Sequence, residues 1–102
     1  MTTQFYNVII ADSTAKLIRS LHPLLKKKVK SGIRDLATDP FAGKALRDEL
    51  KGLRSFRIGR LRIVYRISGK TVEIAAVGPR KTIYEETLKA IRKDEAGTVR
   101  NY

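Results

Sequence analysis

Between Arg60 and Ile67 the chain alternates without a break. Leu61, Ile63, Tyr65 and Ile67 share one parity, and Arg60, Arg62, Val64 and Arg66 share the other. A period of two fits an extended strand, whose successive side chains point to opposite faces. An apolar set on one side and a largely basic set on the other implies an antiparallel sheet with one face packed. The preceding stretch, Leu53 to Gly59, alternates too: Arg54, Phe56 and Ile58 share one face, Ser55 and Arg57 the other. Ser68-Gly69-Lys70 then supplies a hairpin turn, and Thr71 to Gly78 returns as a third strand with the composition of a central one.

Upstream, the period changes. Phe5 to Ala11 is a short β-prone run that ends at Asp12-Ser13-Thr14, residues suited to capping a helix. Ile18, Leu21, Leu25, Val29, Ile33 and Leu36 follow at spacings of three and four, one apolar stripe at helical period. Pro23 fits the first turn of a new helix, which predicts two helices, about 13–21 and 23–37. Lys26, Lys27, Lys30 and Arg34 fall off the stripe and read as a solvated face. Thr38 to Gly43 is turn-rich, and Lys44 to Gly52 reads as a loop with a single helical turn. Thr82 to Glu85 has the spacing of a capping box, with Tyr84, Leu88 and Ile91 as the apolar edge of a short last helix. The expected fold is α+β: a twisted, antiparallel-rich sheet of about four strands in the order β-α-α-β-β-β-α. The helical hairpin covers one sheet face, one domain spans residues 1–92, and 93–102 form a flexible tail.

Charge narrows the function. Twenty-two Lys and Arg against ten Asp and Glu give +12 over 102 residues. That much like charge repels itself in a compact state, so a polyanionic partner is expected, nucleic acid before an acidic protein. The chain has no cysteine and a single histidine, His22, which leaves no donor set for a metal site and implies no cofactor. The N-terminus lacks a basic n-region, and no run approaches the length of a membrane span, so a cytoplasmic protein with no membrane partner is expected.

If the helices bury their stripe on one sheet face, the other face presents Arg57 and Arg62, with Arg60 and Arg66 toward the ends of the same strand. Arg80 leaves the last strand and Tyr84 follows within a turn. Such a row of guanidinium groups repels itself unless an anion sits among them. Guanidinium suits phosphate through paired hydrogen bonds. The plainer alternative is that these arginines only solvate an exposed face, and that Tyr84 packs its ring on the sheet.

Three runs, Asp39-Pro40-Phe41, Leu50 to Gly59 and Arg62-Ile63-Val64-Tyr65, resemble the centre of the RelE/ParE superfamily of toxins. Val77-Gly78-Pro79-Arg80 and Ile83-Tyr84 resemble its closing segment, so the likeness spans residues 5 to about 92. For the RelE-like branch the resemblance implies a ribosome-dependent mRNA endonuclease, in which a ribose 2′-OH attacks the adjacent phosphorus. It implies Arg62 as the clamp on the scissile phosphate, and Arg80 as stabiliser of charge or of the leaving oxygen. Tyr84 orients or deprotonates the nucleophile, and Arg57 binds phosphate or activates the 2′-OH. Arg54, Arg60, Arg66 and Lys81 complete the expected RNA-binding set. The implied partners are the ribosome, mRNA and a cognate antitoxin, with a monomeric toxin inside a hetero-oligomer. Pro79 stands where many relatives carry histidine, and Gly59 where some carry lysine. Two alternatives stay open: a ParE-like inhibitor of DNA gyrase, and a basic RNA-binding module without catalysis.

Overall fold

The structure, a computed structural model, describes residues 5–79 together with 83, 84, 87 and 89. Strand β1 (Asn7–Ile10) leads into helices α1 (Asp12–Ser20) and α2 (Pro23–Thr38). A 3-10 turn at Pro40–Ala42 precedes β2 (Lys44–Ala45), and another at Asp48–Leu50 precedes β3 (Arg54–Ile58). Strands β4 (Leu61–Ser68) and β5 (Thr71–Pro79) follow. The sheet has five strands in the order β1-β5-β4-β3-β2. Among the described strands only β1 and β5 run parallel, and every other pair is antiparallel. The α+β class and element order match the sequence reading, with one strand more than expected. The extra strand, β2, is two residues long and pairs Lys44 with Ser55 and Ala45 with Arg54. A piece so short has no period of its own, and only its partner makes it a strand.

Both helices end close to where the periodicity ends, but their starts differ in mechanism. His22 caps α2: its Nδ1 accepts from the Leu24 N–H at 3.2 Å, and Pro23 takes the first helical position, where no N–H is needed. The expected cap at Asp12 to Thr14 is not formed. Ala11 is the N-cap of α1 and lends no side-chain bond. The Thr14 hydroxyl, buried, donates instead to the Ala75 carbonyl at 3.1 Å. Ala75 is the extra residue where β5 bulges, since Val64 pairs with Ala76 and Tyr65 with Ile74. Thr14 thus ties α1 to a carbonyl that the bulge displaces from the ladder.

The core lies between the helices and one sheet face. Ile18, Val29 and Leu36 pack on Ile63, Tyr65, Val72, Ile74 and Val77. Tyr65 is fully buried. Its hydroxyl donates to the Pro40 carbonyl at 2.6 Å and accepts from the Gly43 N–H at 3.0 Å. Gly43 is required there, because a Cβ would stand 2.3 Å from that hydroxyl and 2.9 Å from the Ser55 carbonyl. The Asp39-Pro40-Phe41 motif is therefore clamped to the sheet through a core tyrosine. Among the described residues no helix is long and apolar enough to cross a membrane.

Candidate functional site

The β3–β4 hairpin fixes the face away from the helices. Its register pairs Arg57 with Arg62, Phe56 with Ile63 and Ser55 with Val64. Arg57 and Arg62 are thus direct cross-strand neighbours, a pairing of like charges that weakens a sheet. On the other side of β4, Arg62 pairs with Gly78 of β5. The hairpin closes through Gly59-Arg60, with Gly59 at φ +57°, the left-handed value that a two-residue type II′ turn requires at its first position. This gives a physical reason for glycine at a position that is lysine in some relatives, since a side chain there is strained.

Ile83, Tyr84, Thr87 and Lys89 are helical, and the first two close over this face. Ile83 is fully buried and sits over Gly78, where a Cβ would lie 3.2 Å from its Cδ1. Val64, which shares the basic parity, is also fully buried, as is Ser55 nearly so at 3% exposed. The face is therefore not wholly open: it has a covered centre at Ser55 and Val64 and a cationic rim at Arg57 and Arg60.

Ser55 is the junction. Its Oγ accepts from Arg62 Nη1 at 3.2 Å and from the Tyr84 hydroxyl at 3.1 Å. One serine thereby holds the guanidinium of one strand beside the phenol of the chain's last described helical turn. Among the described residues the Nε of Arg62, like that of Arg54, is buried without a hydrogen-bond partner, a donor that an acceptor entering the site would satisfy. Arg57 is exposed, and its Nε donates to the Gly59 carbonyl at 3.1 Å, which steers the guanidinium to the hairpin end. Sequence reasoning placed Ser55 on this face but assigned it nothing. Its one visible signal was a small polar residue between two arginines.

The remaining residues named from sequence disperse. Arg60 sits exposed in the hairpin turn. Arg66 lies four residues along β4 from Arg62, about 13 Å at strand rise. There it is paired to its cross-strand neighbour Glu73, with Nε 2.9 Å from Oε2. Arg54 is on the helix side, as its parity with Phe56 and Ile58 requires. Its Nη2 donates to the carbonyls of Phe41 and Gly43 at 3.2 and 2.6 Å, and the guanidinium lies 5.4 Å from the Phe41 ring centroid. The structure thus separates Arg54 and Arg66 from the Arg57–Arg62–Tyr84 group. Arg80, Lys81 and the 93–102 tail lie outside the described residues.

The model of a protein family described as the ParE toxin of the type II toxin-antitoxin system parDE matches residues 10–84. Among solved structures, the toxin-antitoxin complex RelBE2 from Mycobacterium tuberculosis is similar at 32% identity and a TM-score of 0.70. That match covers 78% of this chain and 95% of the other. A double arginine-to-alanine mutant of the Escherichia coli toxin RelE in the free state shares the fold at 21% identity and a TM-score of 0.70, covering 85% and 98% of the two chains. The YoeB-YefM complex from Staphylococcus aureus is similar at 20% identity, TM-score 0.59, covering 71% and 93%. A comparison with curated proteins finds no match.

Proposed function

The chain belongs to the RelE/ParE superfamily and is a toxin of a type II toxin-antitoxin system, and from that premise we propose that it is a ribosome-dependent mRNA endonuclease. The observation that carries this reading is the Arg57–Arg62 cross-strand pair, without an ion-pair partner among the described residues, beside the Ser55–Tyr84 hydroxyls. A phosphate backbone laid across the two strands would meet both guanidinium groups, and a phenol beside Arg62 can act on the adjacent ribose. The scissile phosphate takes the donors of Arg62, and Arg57 holds the backbone at the hairpin end. The 2′-oxygen forms a bond to phosphorus as the P–O5′ bond breaks, giving a 2′,3′-cyclic phosphate and a 5′-hydroxyl. Tyr84 orients the 2′-OH or accepts its proton, Arg80 stabilises the developing charge, and the leaving oxygen takes up a proton. Arg60 and Lys81 extend the contact to flanking phosphates, whereas Arg54 and Arg66, engaged elsewhere, take no part in it.

No imidazole stands in this cluster, so the chemistry leans on alignment, which is worth about 7–11 kcal/mol when it is complete. A ribosome that presents the mRNA in one conformation supplies what the site lacks. Free toxin is expected to cut naked RNA very slowly.

A second reading has one observation in its favour: the matching family model is that of ParE toxins. Under it the chain poisons DNA gyrase. Induced expression of wild type, Arg62→Ala and Arg80→Ala, followed by mapping of mRNA 5′ ends, separates the readings. Codon-phased cuts that vanish in both variants support the nuclease. Growth arrest with inhibited supercoiling and intact mRNA would replace it with the gyrase reading, and no arrest would leave a binding module.

The partner proposed for the toxin is a cognate antitoxin, with an acidic segment that covers Arg57, Arg62 and Arg80 or displaces the turn that carries Tyr84. Within that complex the toxin is monomeric, one part of a toxin-antitoxin hetero-oligomer. The setting proposed is the bacterial cytoplasm, and the reaction proposed needs no metal or other cofactor.

A further inference from the structure

The sheet face described above is one cationic surface, and the described residues form another apart from it. The other is the outer side of α2. Lys26, Lys30 and Arg34 stand at i, i+4 and i+8, with Lys27 and Ser31 beside them. This puts all five on one stripe, the cations of each i, i+4 pair about 6 Å apart along the axis. Like charges at that spacing destabilise a helix. The row also starts in the N-terminal half of α2, where the helix dipole disfavours cations, and the first turn holds no acidic residue to offset it. None of these four cations has an ion-pair partner among the described residues. Packing of the opposite face carries this cost in the free chain, and an anionic ligand would offset it directly.

The stripe also has shape. With Pro23 it lines a shallow groove of about 420 Å³. A second hollow of about 290 Å³ shares Ser31 and runs from Lys28 past the Asp35 carboxylate to Phe56, Arg57 and Ile58 of β3. The α2 groove is thus joined at Ser31 to Arg57, on the rim of the candidate site. Its walls hold no large apolar side chain, so a helical peptide has nowhere to anchor its apolar face. Lysine meets phosphate as a point charge without fixed geometry, which suits backbone binding that ignores sequence.

We propose that the outer face of α2 is a second RNA-binding surface, which takes the phosphate backbone of folded RNA. It concerns binding alone and stands whether or not the sheet face cuts RNA. The probe is a fluorescein-labelled RNA hairpin with 2′-O-methyl riboses, which has no nucleophile to be cleaved. It is titrated by anisotropy against the purified full chain over a salt series. The double variant K26Q/K30Q is compared with K16Q/R19Q, which removes the same charge from exposed positions of α1. The expected result is a roughly tenfold loss for K26Q/K30Q, with the log–log salt slope smaller by about 1.5, and a loss under about twofold for K16Q/R19Q. The charge-conserving K26R/K30R keeps wild-type affinity, and the melting temperature of K26Q/K30Q is unchanged or higher because the repulsion is relieved. Equal losses in the α1 and α2 variants, or an unchanged slope, would overturn the proposal. So would a loss of affinity for poly-glutamate with the hairpin unaffected, which would assign the stripe to an acidic protein.

Discussion

Ser55 joins Arg62 to Tyr84 without itself meeting substrate under the proposed reaction, so it acts as a positioning residue. Ser55→Ala removes one acceptor and leaves both donors to find their own geometry. Single-turnover cleavage on programmed ribosomes is expected to slow about 10- to 100-fold, the scale set by small misplacements of reacting groups. Unfolding free energy should fall by no more than about 1.5 kcal/mol, the ordinary worth of a lost hydrogen bond. A rate unchanged from wild type would remove Ser55 from the site. Gly59 makes the opposite case. Gly59→Lys restores the residue found in some relatives, yet φ +57° at this turn strains any side chain. Urea unfolding should show a loss of about 1–2 kcal/mol. Arg54 shows how far one residue can be read: its parity with Phe56 and Ile58 set it on the helix side, while its charge argued for RNA. The structure gives it two carbonyl partners and the Phe41 ring.

At the scale of elements, the β3–β4 hairpin was legible because alternation reports which side of a sheet each residue takes. The apolar stripe of α1 and α2 was legible for the same kind of reason. What escaped was anything held by a distant partner. β2 exists through its pairing with Arg54 and Ser55, and Thr14 gives up a capping role for a carbonyl 61 residues away. The Pro40–Ala42 turn depends on Tyr65, which bonds both Pro40 and Gly43. Tyr65→Phe keeps the ring and strands both backbone groups in a dry interior. Each such group costs about 1–3 kcal/mol, so denaturant unfolding is expected to show a loss of roughly 2–6 kcal/mol. A change below about 0.5 kcal/mol would mean that the turn re-forms with other partners.

For the whole molecule, +12 on 102 residues is the dominant fact. Among the described pairs, Arg66–Glu73 is exposed on the arginine side and neutralises little of it. Self-repulsion of this size weakens as salt shortens the screening length from about 14 Å near 0.05 M to about 6 Å near 0.3 M. Thermal melts across that range should shift upward by a few degrees with sodium chloride, whereas RNA affinity falls steeply over the same range. A melting point that drops with salt would mean that attractive pairs outweigh the repulsion. The antitoxin proposed here has the same physical task as salt and as RNA, to place negative charge where the fold has gathered positive charge.

By itself the sequence determined the two periods, the order of elements, the faces of Arg57 and Arg62, and the large net positive charge. These follow from neighbours within a few positions and from composition, which require no knowledge of what packs on what. The tertiary structure alone decided that Arg57 stands directly across from Arg62, that Ser55 lies under Tyr84, and that Arg54 and Arg66 are engaged elsewhere. Each of those depends on register or on contacts between residues far apart in the chain. No local pattern encodes them, because a side chain's parity gives its face but not the partner that awaits it there.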